Sequence, residues 1–308
     1  MRRFRNPVLG AAAVALTILL SACQSGGNGN DQGADDKPKG TIKIGVSGAF
    51  AENQIVAEMY AQVLEKAGYK VDRQLDLKNR EVSQPAIESG EIDLKPEYLG
   101  TLLSYLDKNS TPTSDPDGNV EPLKKLLEAK GLVLLDFSEA NDTNAFVVTK
   151  ATADKHGLKK VSDLQPVAKN LILGGPPECE IRPFCIPGLK NTYGIEFGKV
   201  EKIGACDKAT AEALDAAKID VALLCSTQSI IAAKGWIVLA DDKELQKADN
   251  IVPVIRKGVL TDEVEGLLNK VSAKLTTENI TALNAKVELD NEDPEDVAKG
   301  FLQKEGLL

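Results

Sequence analysis

The chain has 308 residues, 43% of them hydrophobic and 4% aromatic, with 46 acidic against 37 basic side chains and a net charge of −9. That length carries one large or two moderate cores, and an acidic body of this kind argues against nucleic acid and anionic membrane surfaces as ligands. One histidine and the lack of any G-x-S-x-G or H-E-x-x-H string argue against hydrolytic chemistry, so no catalytic residue, metal or cofactor is assigned.

Met1-Arg2-Arg3-Phe4-Arg5 is cationic, and the stretch from Val8 to Leu20 is apolar and uncharged, the pattern of a secretory signal. It falls short of the roughly twenty residues of a membrane-spanning helix. Leu20-Ser21-Ala22-Cys23 resembles a bacterial lipobox. Residues 1–22 therefore read as a lipoprotein signal peptide, and Cys23 as the lipid-bearing first residue of an exported protein held at the extracytoplasmic face of the cell membrane. Residues 23–40 are rich in Gly, Asn, Asp and Lys and hold no large apolar side chain, which predicts a flexible tether.

Thr41 to Val46 alternates like a strand, and Ile55, Val56, Met59, Tyr60, Val63 and Leu64 form one apolar helical stripe that Gly68 ends. Helices are predicted over 82–89, 97–106 and 121–130, with strands at 92–94 and 132–135. A second series follows: a strand at 145–149, a short helix after Ser162-Asp163, a strand at 171–173 and a loop bearing two cysteines. Asp207 caps a helix reaching Lys218, a strand spans 219–224, Ser226 caps a further helix, and 236–240 is a strand. After a strand at 251–255 come three helices capped at Thr261, Thr277 and Asp293, the last with Pro294 in its first turn. Strands alternating with helices predict an α/β protein with largely parallel sheets.

Setting Cys23 aside leaves Cys179, Cys185, Cys206 and Cys225. In an exported protein these read as two disulfides with three possible connectivities. The short Cys-Glu-Ile-Arg-Pro-Phe-Cys loop favours Cys179 with Cys185, leaving Cys206 with Cys225. A zinc site fits the spacing poorly. Gly174-Gly175-Pro176-Pro177 lacks the lysine and hydroxyl residue of a phosphate-binding loop and reads as a turn.

Glu52-Asn53-Gln54-Ile55, the run from Glu91 to Thr101 with its Pro-Glu-Tyr-Leu-Gly-Thr string, and Ile219-Asp220-Val221-Ala222 with Ser226-Thr227 resemble the osmoprotectant-binding proteins of ABC importers, which take glycine betaine, choline or carnitine. The resemblance implies a two-lobed type II periplasmic-binding fold, each lobe a mostly parallel sheet flanked by helices. Lobe 1 would comprise 41–143 plus 251–308 and lobe 2 would comprise 144–250, with the chain crossing twice between them. It further implies a ligand held in the cleft by an aromatic cage and a basic residue.

Carried over by position, Tyr98 matches a cage tyrosine, Thr101 a nearby polar contact, Asp142 a ligand-proximal acid and Arg182 the basic residue of the second lobe. Asn144, Cys225 and Asp249 stand where further tyrosines are expected, so cation–π attraction is weakened, and Asp249 becomes a candidate partner for a cationic group. The expected ligand is a small polar or zwitterionic solute with more hydrogen-bonding groups than glycine betaine. Conventional glycine betaine or choline uptake and a non-transport sensory or docking role stay open as alternatives. The implied partners are the solute and an ABC permease with its ATPase. The membrane is met through the lipid anchor alone, and the receptor is expected to be a monomer.

Overall fold

The computed structural model describes residues 39–308, Ala49 excepted, so the signal segment, Cys23 and most of the tether lie outside the described residues. The first series comprises β1 (Thr41–Ser47), α1 (Ala51–Lys66), β2 (Lys70–Leu77), α2 (Arg80–Ser89), β3 (Leu94–Tyr98), α3 (Leu99–Leu106), α4 (Pro116–Glu128) and β4 (Leu132–Leu134). The second comprises β5 (Asn144–Val148), α5 (Lys150–His156), β6 (Ile172–Gly175), α6 (Ile186–Gly188), β7 (Lys199–Lys202), α7 (Lys208–Asp215), β8 (Val221–Cys225), α8 (Ile230–Ala233) and β9 (Ile237–Val238). The chain then returns through β10 (Ile251–Arg256) to α9 (Asp262–Ser272), α10 (Thr277–Glu288) and α11 (Pro294–Lys304).

Two five-stranded sheets result, ordered β2-β1-β3-β10-β4 and β7-β6-β8-β5-β9. Each is the middle layer of a three-layer lobe. Along β10, Ile251 and Ile255 join a core with α1 and α9 to α11, while Val252 and Val254 join a core with α3 and α4. Along β5, Phe146 and Val148 fall in one core and Ala145 and Val147 in another. This is the two-residue period of a strand buried on both faces.

The sheets are mixed rather than mostly parallel. β1 is parallel to β2 and β3, and β6 to β7 and β8, but β10 runs antiparallel to β3 and β4, and β5 antiparallel to β8 and β9. β5 and β10 are the strands that arrive directly from the other sheet, entering from the cleft end and so running against their neighbours.

Several elements depart from the sequence reading for identifiable reasons. β2 and β7 are edge strands laden with charge, and neither shows a clean apolar alternation. β3 runs to Tyr98 as a fully buried strand where a helix was expected from Glu97, because its charged residues Lys95 and Glu97 satisfy each other in the interior. Ser226 caps no helix: α8 begins after Ser229, and the Ser226 hydroxyl donates to Asp142 instead. α10 is capped by Thr276, while Thr277 Oγ1 accepts the Asn141 N–H at 3.0 Å.

Disulfides join Cys179 to Cys185 and Cys206 to Cys225, with Cα separations of 5.2 and 5.0 Å. Among the described residues no helix is long and apolar enough to cross a membrane.

Candidate ligand-binding cleft

The two segments that connect the sheets lie side by side. Asn141 and Asn250 form an antiparallel bridge, the Asp142 N–H donates to the Asp249 carbonyl at 3.2 Å, and the Asp249 N–H donates to Asn141 Oδ1 at 2.7 Å. A cavity of about 890 Å³ opens between the sheets beside this pair, and Tyr98, Thr101, Asp142, Asn144, Arg182 and Asp249 all line it.

Tyr98 ends β3 opposite Ile251 of β10, which places its ring at the base of the connection. Its hydroxyl donates to Glu52 Oε1 at 2.7 Å, and Asn53 Oδ1 lies 3.1 Å away. The next turn gives the Tyr-Leu-Gly-Thr string a physical reason. A side chain at Gly100 would put its Cβ 2.7 Å from the Ala248 carbonyl oxygen, so the start of α3 approaches the second connection only because position 100 is glycine. That approach lets the Thr101 N–H donate to Asp249 Oδ1 at 2.9 Å, with the Thr101 hydroxyl at 3.3 Å.

Three carboxyls thus gather at one end of the cleft. Asp142 accepts from Ser226 Oγ at 3.0 Å and from the Thr227 N–H at 3.1 Å. Glu52 accepts from Thr227 Oγ1 at 2.6 Å, which ties the first helix of one lobe to the other lobe, and from Asn284 Nδ2 of α10 in its own lobe at 3.3 Å. Burial raises all three above the ordinary carboxylate range. Asp142 is pushed well up, next by the neighbouring Glu52 charge, and Asp249 reaches about 7 despite the Thr101 hydrogen bonds and the Arg80 charge.

Next to these carboxyls lies an ionic network that is self-compensated. Arg80 grips Glu97 Oε2 at 2.7 Å and Thr101 Oγ1 at 2.8 Å, while Lys95 Nζ reaches Glu97 Oε1 at 2.7 Å and Gln84 Oε1 at 2.9 Å. Burial alone would raise the Glu97 carboxyl, but the two cations override it and hold it at about 2. At the mouth, Arg182 donates to Glu81 Oε2 at 2.9 Å and Oε1 at 3.2 Å, and Asn79 Nδ2 donates to Glu178. The Arg182 guanidinium, expected to clamp a ligand anion, is engaged here with a carboxylate of the facing lobe. Asn144 and Cys225, both standing where rings were expected, face each other across β5 and β8.

Sequence reasoning missed the aromatic residues that do line the cleft. Phe50 stacks on Tyr98 with ring centroids 6.4 Å apart, and Tyr105 and Phe184 also border the cavity. Phe50 immediately precedes the Ala51-Glu52-Asn53 start of α1, and Phe184 sits inside the Cys179–Cys185 loop, so adjacency to a motif and to a bridge were the available signals. Arg80 and Glu52 were missed as site residues for lack of any spacing that marks a buried ion network.

Two three-layer lobes enclosing a polar and aromatic cleft at a double connection define a solute-binding protein of the type II periplasmic-binding fold. The chain belongs to the family described as the substrate-binding domain of ABC-type glycine betaine transport systems, which matches residues 40–304. It is 27% identical to the glycine betaine-binding protein YehZ of Escherichia coli (strain K12), over 86% of this chain and 90% of that one. It is 29% identical to the carnitine transport binding protein OpuCC of Listeria monocytogenes, over 94% of this chain and 92% of the relative. The crystal structure of a glycine betaine/carnitine/choline ABC transporter protein superposes with a TM-score of 0.68 at 29% identity, covering 86% of this chain and 99% of that chain. The chain is therefore a substrate-binding protein of an ABC importer.

Proposed function

We propose that this receptor, tethered outside the cell by a lipid on Cys23, takes up a small zwitterion with a cationic head and carries it to an ABC permease and its ATPase. The observation behind this reading is the Phe50–Tyr98 ring pair beside the buried carboxyls Asp142 and Asp249 in one cleft. Ring faces attract a methylated ammonium that water solvates poorly, by about 0.5 to 2 kcal/mol each, and a carboxyl at the same end adds an opposite charge once it ionises. The anionic end of the solute then meets Arg182, displacing Glu81. A ligand touching both lobes binds the closed arrangement better than an open one, which is what a permease would read.

Choline-like cations without a carboxylate are the second reading, and the Arg182–Glu81 pair favours them, since they need not break it. Calorimetric titration of the purified protein against glycine betaine, carnitine, choline and larger amino-acid betaines separates the two. Under the first reading Tyr98→Ala lowers affinity for every bound solute by at least about tenfold, whereas Arg182→Ala weakens the zwitterions and spares choline. Equal loss of choline and zwitterions on Arg182→Ala would defeat the anion assignment.

A further inference from the structure

A second cavity of about 480 Å³ adjoins the cleft, and Phe50, Cys206 and Asp207 border both. On α1 the consecutive residues Asn53 and Gln54 face different spaces: Asn53 lines the main cleft and Gln54 the second cavity. The first turn of α1 is thus one half of the partition, and the turn ahead of α7 is the other. The two halves come from different lobes and are joined to each other by no backbone, so a change in lobe angle alters the spacing between them. Beyond it, Ala211, Ile230, Trp236 and Val287 supply an apolar lining. The cations at its rim are already matched, Lys234 with Asp215 at 2.8 Å and Lys208 with Glu212 at 3.9 Å. An uncompensated anion finds no partner there, whereas a ring or branched alkyl group finds the Trp236 indole and aliphatic surface.

We infer that the solute carries a side group that passes beside Phe50 into this second cavity, so that the substrate class is the amino-acid betaines bearing an apolar or aromatic side chain. The inference rests on the cationic-zwitterion reading of the main cleft. A group lying across the seam touches both lobes and is enclosed when they meet, so it adds to the preference for closure as well as to contact area.

The test is calorimetric titration of the full chain with glycine betaine, which has no side chain, and with the trimethylated betaines of valine and tryptophan. At least one side-chain betaine is expected to bind about tenfold or more tighter than glycine betaine. Ala211→Leu, which fills the second cavity, should erase that advantage and leave glycine betaine affinity within about twofold. Glu212→Trp, at an exposed position on the rim, should do the same without overpacking the core, and serves if Ala211→Leu fails to fold. Side-chain betaines no tighter than glycine betaine, or equal losses for both classes in Glu212→Trp, would overturn the inference and leave the reading of the main cleft standing. Binding of none of the three would overturn both.

Discussion

Asp249 is the residue on which ligand charge and acidity meet. Its carboxyl is buried and raised to about 7, against about 3.9 in an unfolded chain. Between those values the folded protein holds a proton that the unfolded chain has released. Stability of the empty receptor therefore falls as pH rises across that window, by up to about 1.4 kcal/mol per pH unit from this group. A cationic solute prefers the ionised carboxylate, so affinity should move the other way, strengthening as pH rises through about 7, with protons released on binding. Titration in buffers of different ionisation enthalpy measures that release. Asp249→Asn should flatten the response, and an unchanged proton release in that variant would remove Asp249 from the role. The mixed lining also shows why position-by-position comparison underrated the aromatic content of the cleft: the ring lost at Asn144 has a counterpart in Phe184, whose carbonyl accepts from Asn144 Nδ2 at 3.4 Å.

Among elements, the start of α2 and the Cys179–Cys185 loop face each other from opposite lobes. Glu81 with Arg182 and Asn79 with Glu178 tie them across the mouth. The pair is about one-third exposed, at 32% and 30%, so it contributes at most about 1 kcal/mol and screens with salt. Its weight lies in competition. Glu81→Gln frees Arg182 for a ligand carboxylate and should tighten zwitterion binding by about two- to fivefold, while leaving choline unchanged or weaker; calorimetry at low and moderate salt reads both. The same scale shows what was legible in the sequence. The alternation of strands and helices and the cap residues Asp207, Thr261 and Asp293 follow from local pattern, whereas the two-lobe plan came from the family resemblance. β2 and β7 did not, because edge strands need only half-bury their residues and carry Lys, Asp, Arg and Glu freely. The strand at 92–94 was read too short, and Glu97 and Tyr98 at the end of β3 read as the start of a helix, because a buried Lys95–Glu97–Arg80 network has the composition of a surface. Phe50 was overlooked because its stacking partner, Tyr98, lies far along the chain.

The whole molecule combines the proposed lipid anchor on Cys23 with a double connection between its two sheets. Cys23→Ala is expected to abolish lipid labelling and leave the precursor unprocessed in the producing bacterium, and undiminished labelling would overturn the anchor. The described body is joined through two connections that are themselves hydrogen-bonded: Asn141 bridges Asn250, and the Ile251 N–H donates to the Ala140 carbonyl at 3.0 Å. Two strands zipped together form a ribbon, and a ribbon flexes across its flat face far more readily than it shears along its length. On this geometry the softest motion of the connections themselves is a change of opening angle. Asp142 and Asp249, the acids proposed to meet the solute, are part of that axle, so the guest grips the joint as well as the jaws. Occupancy then sets how stiff the angle is, and a permease docking against both lobes would sense rigidity together with shape.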